Sequence, residues 1–214
     1  MSNLKKWRNW CVKIENEILI PYKFDKLVAE EYFEIIKPTL DAGEPAEFHN
    51  WCSNNYGLSL AFVIRKLTDD DKRVYSIRRL VGDIQAHNKD IKKVTYIRRY
   101  PEHLRYLAER NWNNNISENK QFLPKGVPAK HLEEIQNISS RINGITNSFL
   151  AHRERTKNTK YTIEFDEMYL IIKQLISIAY FYSDLIGGSI PDDDSNVVLA
   201  YDWQSIFKKP WLSS

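Results

Sequence analysis

Proton transfer near neutral pH needs a group that titrates there, and the chain sets one such group, His152, at the end of an apolar seam. Ile135, Ile138, Ile142, Ile145 and Phe149 recur at steps of three and four, the mark of an amphipathic helix with one buried stripe. The next step of that stripe is His152. An imidazole there has surroundings that tune its pKa and partly exclude water, as general acid–base work requires. The polar Asn147 precedes it, and Arg153 and Arg155 follow. The same register also fits a plain structural role. A helix-end histidine can donate to a nearby carbonyl, and two arginines past a helix end complement its negative pole.

A second kind of chemistry is spelled by Lys92-Lys93, Tyr96, Arg98-Arg99-Tyr100, Arg105-Tyr106 and Arg110-Asn111-Trp112. Lys and Arg neutralise phosphates while aromatic faces stack bases, which suits single-stranded RNA held by Arg98, Arg99 and Arg105. The alternative is a solvated helix face whose Tyr and Trp belong to the core. His49 and Cys52, three apart, are two potential metal ligands, but no second pair accompanies them, so no metal is expected. Asp69-Asp70-Asp71 and Asp192-Asp193-Asp194 read as caps and solvated turns.

These groups need long helices to position them, and the composition is consistent with that. With 214 residues, 43% of them hydrophobic and 28% charged, the chain can bury a real core without being extreme in charge. Seven Gly and eight Pro are too few for a turn-rich β fold. The net charge of +3 allows a local basic face and does not demand one. Two cysteines, Cys11 and Cys52, make neither a disulfide framework nor a zinc set. Met1 to Lys13 has no apolar run of the secretory kind, and Tyr169 to Tyr182 is broken by Lys173 and Gln174. A cytoplasmic protein with no membrane span and no cofactor is the expectation.

In chain order, Leu4 to Lys37 reads as helical, interrupted at Pro21, and Pro38 to Pro45 as a connector. Glu47 to Leu67 is a helix with Gly57 inside it, and Ser76 caps a short helix, Ile77 to Asn88. Val94 to Trp112 holds one more helix starting near Pro101, and Asn113 to Pro128 is a long loop. The helix bearing His152 follows, and Phe165 to Ile186 is the last, ended by Gly187-Gly188. The tail has a short strand at Val197 to Tyr201, and Trp203, Phe207, Pro210 and Trp211 suggest that it packs on something.

Two stretches resemble the HEPN superfamily, and within it the AbiU-type, abortive-infection-associated proteins. Thr146-Asn147-Ser148-Phe149-Leu150-Ala151-His152 is similar to the motif of Arg, a polar residue and, a few positions on, His near a helix end. Leu58 to Leu67, Asp69-Asp70-Asp71 and Tyr75 to Leu80 resemble the central region of the AbiU type. Asn147 and His152 match the motif; Thr146 stands where it has Arg. The resemblance implies a metal-independent ribonuclease site shared by two copies across a dimer interface. His152 would move the ribose 2′-hydroxyl proton, Asn147 would orient it, and a cation would neutralise the charge on phosphorus. Arg141 is the nearest upstream candidate for that cation. It is eleven residues from His152 and about 16 Å along one helix, so it would have to act across a two-fold. Arg153 and Arg155 are alternatives. Glu154 occupies the place where one family variant has a modifiable Tyr, so that regulation is not carried over.

The resulting expectation is an all-α antiparallel bundle of HEPN type with extra N-terminal helices, residues 1–190, and a C-terminal tail, 191–214, packing on it. The resemblance further implies a homodimer, RNA as ligand, and an antitoxin or defence partner protein. A catalytically inactive module that binds RNA or a protein, and a plain helical scaffold, stay open beside the ribonuclease.

Overall fold

The computed structural model describes residues 2–41, 47–151 and 164–191, with backbone alone for 39–41 and 144–151. Eight α-helices account for most of them: α1 (Asn3–Ile14), α2 (Ile20–Asp41), α3 (Glu47–Thr68), α4 (Ile77–Ala86), α5 (Lys93–Arg98), α6 (Arg105–Asn115), α7 (Gly126–Ala151) and α8 (Phe165–Ile186). Among the described residues there is no strand, only a single antiparallel bridge between Lys92 and Phe122. The all-α expectation holds.

The bundle is assembled around α8. This helix is apolar over most of its circumference, with one solvent-facing stripe through Leu170, Lys173, Ser177 and Tyr180. It packs against α1, α3, α4 and α7, and Ile172, Leu175, Ala179 and Tyr182 are fully enclosed. Among the described residues α8 buries the most side chains, while the two most extensive helix pairings are those of α7, which leads to His152, with α3 and α4. By length and composition α8 could also cross a bilayer, longer than the Tyr169 to Tyr182 run suggests; here 56% of its apolar window is buried in the bundle. The α7 stripe is narrower. Ile135, Ile138 and Ile142 face the core, where α7 lies on α3 and α4.

Pro21 does not break the first helix. Instead a π-helical turn, Glu15–Leu19, joins α1 to α2, and the Ile20 N–H reaches back five residues to the Glu15 carbonyl. The widened turn takes in one extra residue just where the proline ring would press on the preceding turn. Trp7, Cys11 and Ile14 of α1 enter the core, and the Trp7 indole donates to Asp83 Oδ2 on α4 at 2.5 Å. Pro38, expected to open a connector, lies inside α2, which runs on to Asp41. Its missing donor falls in the last turns, where little helix remains to be disrupted.

Gly57 has a packing reason. A Cβ there would stand 3.3 Å from the Phe165 ring, so the glycine lets the start of α8 lie close on α3. Ser76 caps α4, its hydroxyl accepting from the Arg79 N–H at 3.1 Å and donating to the Asp69 carbonyl. Asp69 in turn accepts from the Asp71 N–H, an Asx turn of the kind expected from an Asp run. Between α4 and α7 the single expected helix is two, α5 and α6, because Pro101 separates them and opens a 3₁₀ turn, Glu102–Leu104. The expected long loop shrinks to residues 116–125, pinned by the bridge at Phe122 and by Leu123 in the core.

Candidate functional site

The end of α7 that leads to His152 is placed by its antiparallel pairing with α8. His131 Nδ1 and the Tyr182 hydroxyl lie 2.8 Å apart, Gln174 Nε2 donates to Glu134 Oε2 at 3.4 Å, and Arg141 pairs with Glu167. That register sets Phe165, the first residue of α8, roughly opposite Asn143. Residues 144–151 therefore continue the α7 backbone for about two turns past the start of α8. Thr146 and Asn147 lie on this overhang, which is described as far as Ala151. His152, Arg153 and Arg155 themselves lie outside the described residues.

Arg141 is the one motif-associated cation whose side chain is described. Its Nη2 meets Glu167 Oε1, in the first turn of α8, and about half of its side chain is exposed. Glu167 and Asp166 together put negative charge at the positive pole of α8. An exposed pair of this kind contributes under about 1 kcal/mol, so a phosphate can compete for Arg141 at little cost to the fold.

At the opposite end of α8 the charges are arranged differently. The Asp184 carboxylate accepts from the Tyr96 hydroxyl at 2.8 Å and the Tyr100 hydroxyl at 2.9 Å, and Asn111 Nδ2 donates to the Tyr96 oxygen at 2.7 Å. Arg99 lies 5.0 Å over the Tyr96 ring and donates to the Asp184 carbonyl, and Arg8 Nε donates to the Ile186 carbonyl at 2.7 Å. Two guanidinium groups thus satisfy the last carbonyls of a helix, at its negative pole. Gly187 follows at φ +70°, and a Cβ there would collide with Arg99 Nη1. Burial lowers the pKa of the Arg99 guanidinium and raises those of the two tyrosines.

The arginines of the basic stretch therefore separate. Arg98 and Arg105 are exposed, Arg105 reaching the Tyr100 carbonyl at 3.4 Å, whereas Arg99 is built into the end of α8. Of the aromatics, Tyr96 and Trp112 are core, while Tyr106 is 67% exposed beside Arg105 and Arg110. Lys93 is buried and paired with Glu109 at 2.9 Å. A third region lies between α2 and α3. The Tyr32 hydroxyl stands 2.6 Å from His49 Nδ1, and the half-buried Cys52 lines the same groove. Among the described residues no three His, Cys, Asp or Glu side chains converge as a metal set would.

Sequence reasoning missed Asp184 and Glu167, and named Asn111 only within the basic stretch, not as a partner of Tyr96. Asp184 left a signal: past its first turn, α8 has no other carboxylate, and an acid inside an apolar helix usually has a partner. Glu167 looked like an ordinary first-turn acid, and its pairing with Arg141 depends on a register that no local pattern encodes.

Comparison with known proteins agrees with this architecture. No curated protein and no solved structure matches the chain. A family model does, the HEPN family described as AbiU2, over residues 2–205. That span takes in all eight helices and the motif-bearing end of α7, so the chain belongs to the AbiU2 family of HEPN proteins, the abortive-infection type.

Proposed function

We propose that this is an RNA-directed protein of a phage-defence or toxin–antitoxin kind, working in the cytoplasm as a metal-independent endoribonuclease at the end of α7. The observation that carries the reading is the overhang: in an AbiU2-type chain, the helix bearing Asn147 runs about two turns beyond the start of its partner helix, toward His152. A second copy, related by a two-fold, would bring two such ends together. His152 then takes the proton of a ribose 2′-hydroxyl, the 2′-oxygen attacks phosphorus, and the 5′-oxygen of the next nucleotide leaves with a proton. The products are a 2′,3′-cyclic phosphate and a 5′-hydroxyl end. Asn147 orients the imidazole or the phosphate. Arg141 from the other copy, with Arg153 and Arg155, supplies the positive charge that Thr146 cannot. Arg98 and Arg105 lead the strand in.

Thr146 and the engagement of Arg141 by Glu167 favour a second reading, a module that binds RNA or a protein partner without cleaving. RNA cleavage in EDTA by the purified protein and by His152→Ala separates the two. Cyclic-phosphate products that fall about 100-fold or more in a folded variant support the enzyme. No cleavage by either protein leaves the binding module, and equal cleavage by both removes His152 from the site.

A further inference from the structure

The groove between α2 and α3 is apolar, open and about 440 Å³ in volume, within the size range of sites that enclose a ligand. Phe24, Val28, Tyr32, Phe33, Phe48 and Tyr56 line it. Three large apolar residues stand out to solvent on these helices: Phe24 at 39%, Phe48 at 51% and Trp51 at 57%. Phe48 and Trp51 are stacked at 6.0 Å between centroids. Exposed aromatics gathered at one apolar cleft mark an interaction surface rather than ordinary scattered surface residues.

We propose that the occupant of this groove is the chain's own C-terminal segment, residues 203–211, with Trp203 and Phe207 as its anchors. Three observations favour it over an outside partner. The first is reach. The segment departs from Pro191, just beyond the C-terminal end of α8, while the groove adjoins the other end, where Phe165 packs on Phe33 and Tyr56. Between the two lies the length of a 22-residue helix, about 33 Å. The twelve residues from Pro191 to Trp203 can span about 40 Å when extended. The second is the anchors. Trp203 and Phe207 are four apart, the spacing that sets two rings side by side on one helical turn, and Trp211 is four further on. The third is charge. Lys208 and Lys209 sit among these aromatics, and the groove contributes Asp25, with Glu47 adjoining Phe48. The segment brings apolar rings and positive charge to a site that offers an apolar cleft and one lining carboxylate, Asp25.

The natural thiol of Cys52 provides the test, because it lines the groove while Cys11 is fully buried and its thiol pKa is pushed up to about 12. In the full-length chain, Ser205→Cys, which keeps both anchors, treated with a short bis-maleimide should give an intramolecular link between positions 52 and 205, mapped by mass spectrometry. A Ser214→Cys control should link about fivefold less. The second measurement leaves the groove untouched: Cys52 in Trp203→Ala/Phe207→Ala should react with a thiol reagent about fivefold faster than in the parent. Linking no better than in the control, or an unchanged Cys52 rate, overturns the proposal. A 52–205 link formed between chains rather than within one also overturns it, because the occupant is then a second copy.

Discussion

The two ends of α8 both meet arginines, and they hold them in opposite ways. At the C-terminal end Arg8 and Arg99 are tied to main-chain carbonyls, and Asp184 takes hydroxyl donors from two different tyrosines, so each group is committed to the fold. At the N-terminal end Arg141 meets one exposed carboxylate on the neighbouring helix, with α7 running on past it. The lesson is that the number of basic residues in a segment says little about its availability to a ligand. The acceptor decides it, with enclosure added at Arg99: an arginine on the last carbonyls of a helix cannot leave without orphaning a main-chain acceptor, whereas an exposed pair between side chains can exchange partners.

The sharpest way to break this contrast is Asp184→Ala, which leaves two tyrosine hydroxyls without their acceptor. A loss of about 2–3 kcal/mol is expected in urea unfolding, with RNA cleavage or binding per folded molecule unchanged. A change in RNA activity without a change in stability would mean that the cluster is functional after all. Next, Gly187→Ala forces a side chain into the left-handed region and against Arg99. It should cost about 1–2 kcal/mol, read from the same midpoints.

A smaller effect comes from His131, buried against Tyr182 and Phe181, whose pKa burial lowers from the ordinary 6.5. The unfolded chain then binds a proton at this site before the folded chain does. Stability should be intact above 6.5 and decline as pH falls below it, and the decline should be reduced in His131→Gln. The smallest stability effect belongs to the other end. Arg141→Ala should shift unfolding by under about 1 kcal/mol yet lower RNA cleavage or affinity about tenfold. If that variant loses stability and keeps its RNA activity, the two ends of α8 are alike and the comparison fails.

Much of the fold was legible because it rests on periodicity. The Ile135–Ile138–Ile142 stripe, the Ser76 cap and the limits of α8 with Gly187 after it are each encoded within a few neighbouring residues. Misjudged elements involve competition between a local rule and its surroundings. Pro21 and Pro38 lie in continuous helix, in one case because a wider turn accommodates the ring and in the other because the helix is near its end. The candidate site was legible as residue types and not as partners. Nothing local ties Arg141 to Glu167, or Arg99 to the end of a helix 85 residues away, since both depend on long-range register. The basic stretch also showed its charges without showing that Arg99 would be withdrawn from the surface.

The π-helical turn at Glu15–Leu19 has a consequence for how this rod can vary. It works as a phase shifter, turning one continuous helix so that α1 presents Trp7, Cys11 and Ile14 to α4 and α8, while α2 presents Tyr22, Ala29 and Tyr32 beside α3. Closing that turn into a regular helix at the same chain length would rotate everything downstream by about 100°, whereas removing its one extra residue would leave the downstream faces in place. This five-residue interval should therefore tolerate a single deletion better than the regular turns of α1 and α2 on either side of it, where the same deletion turns every downstream residue off its face.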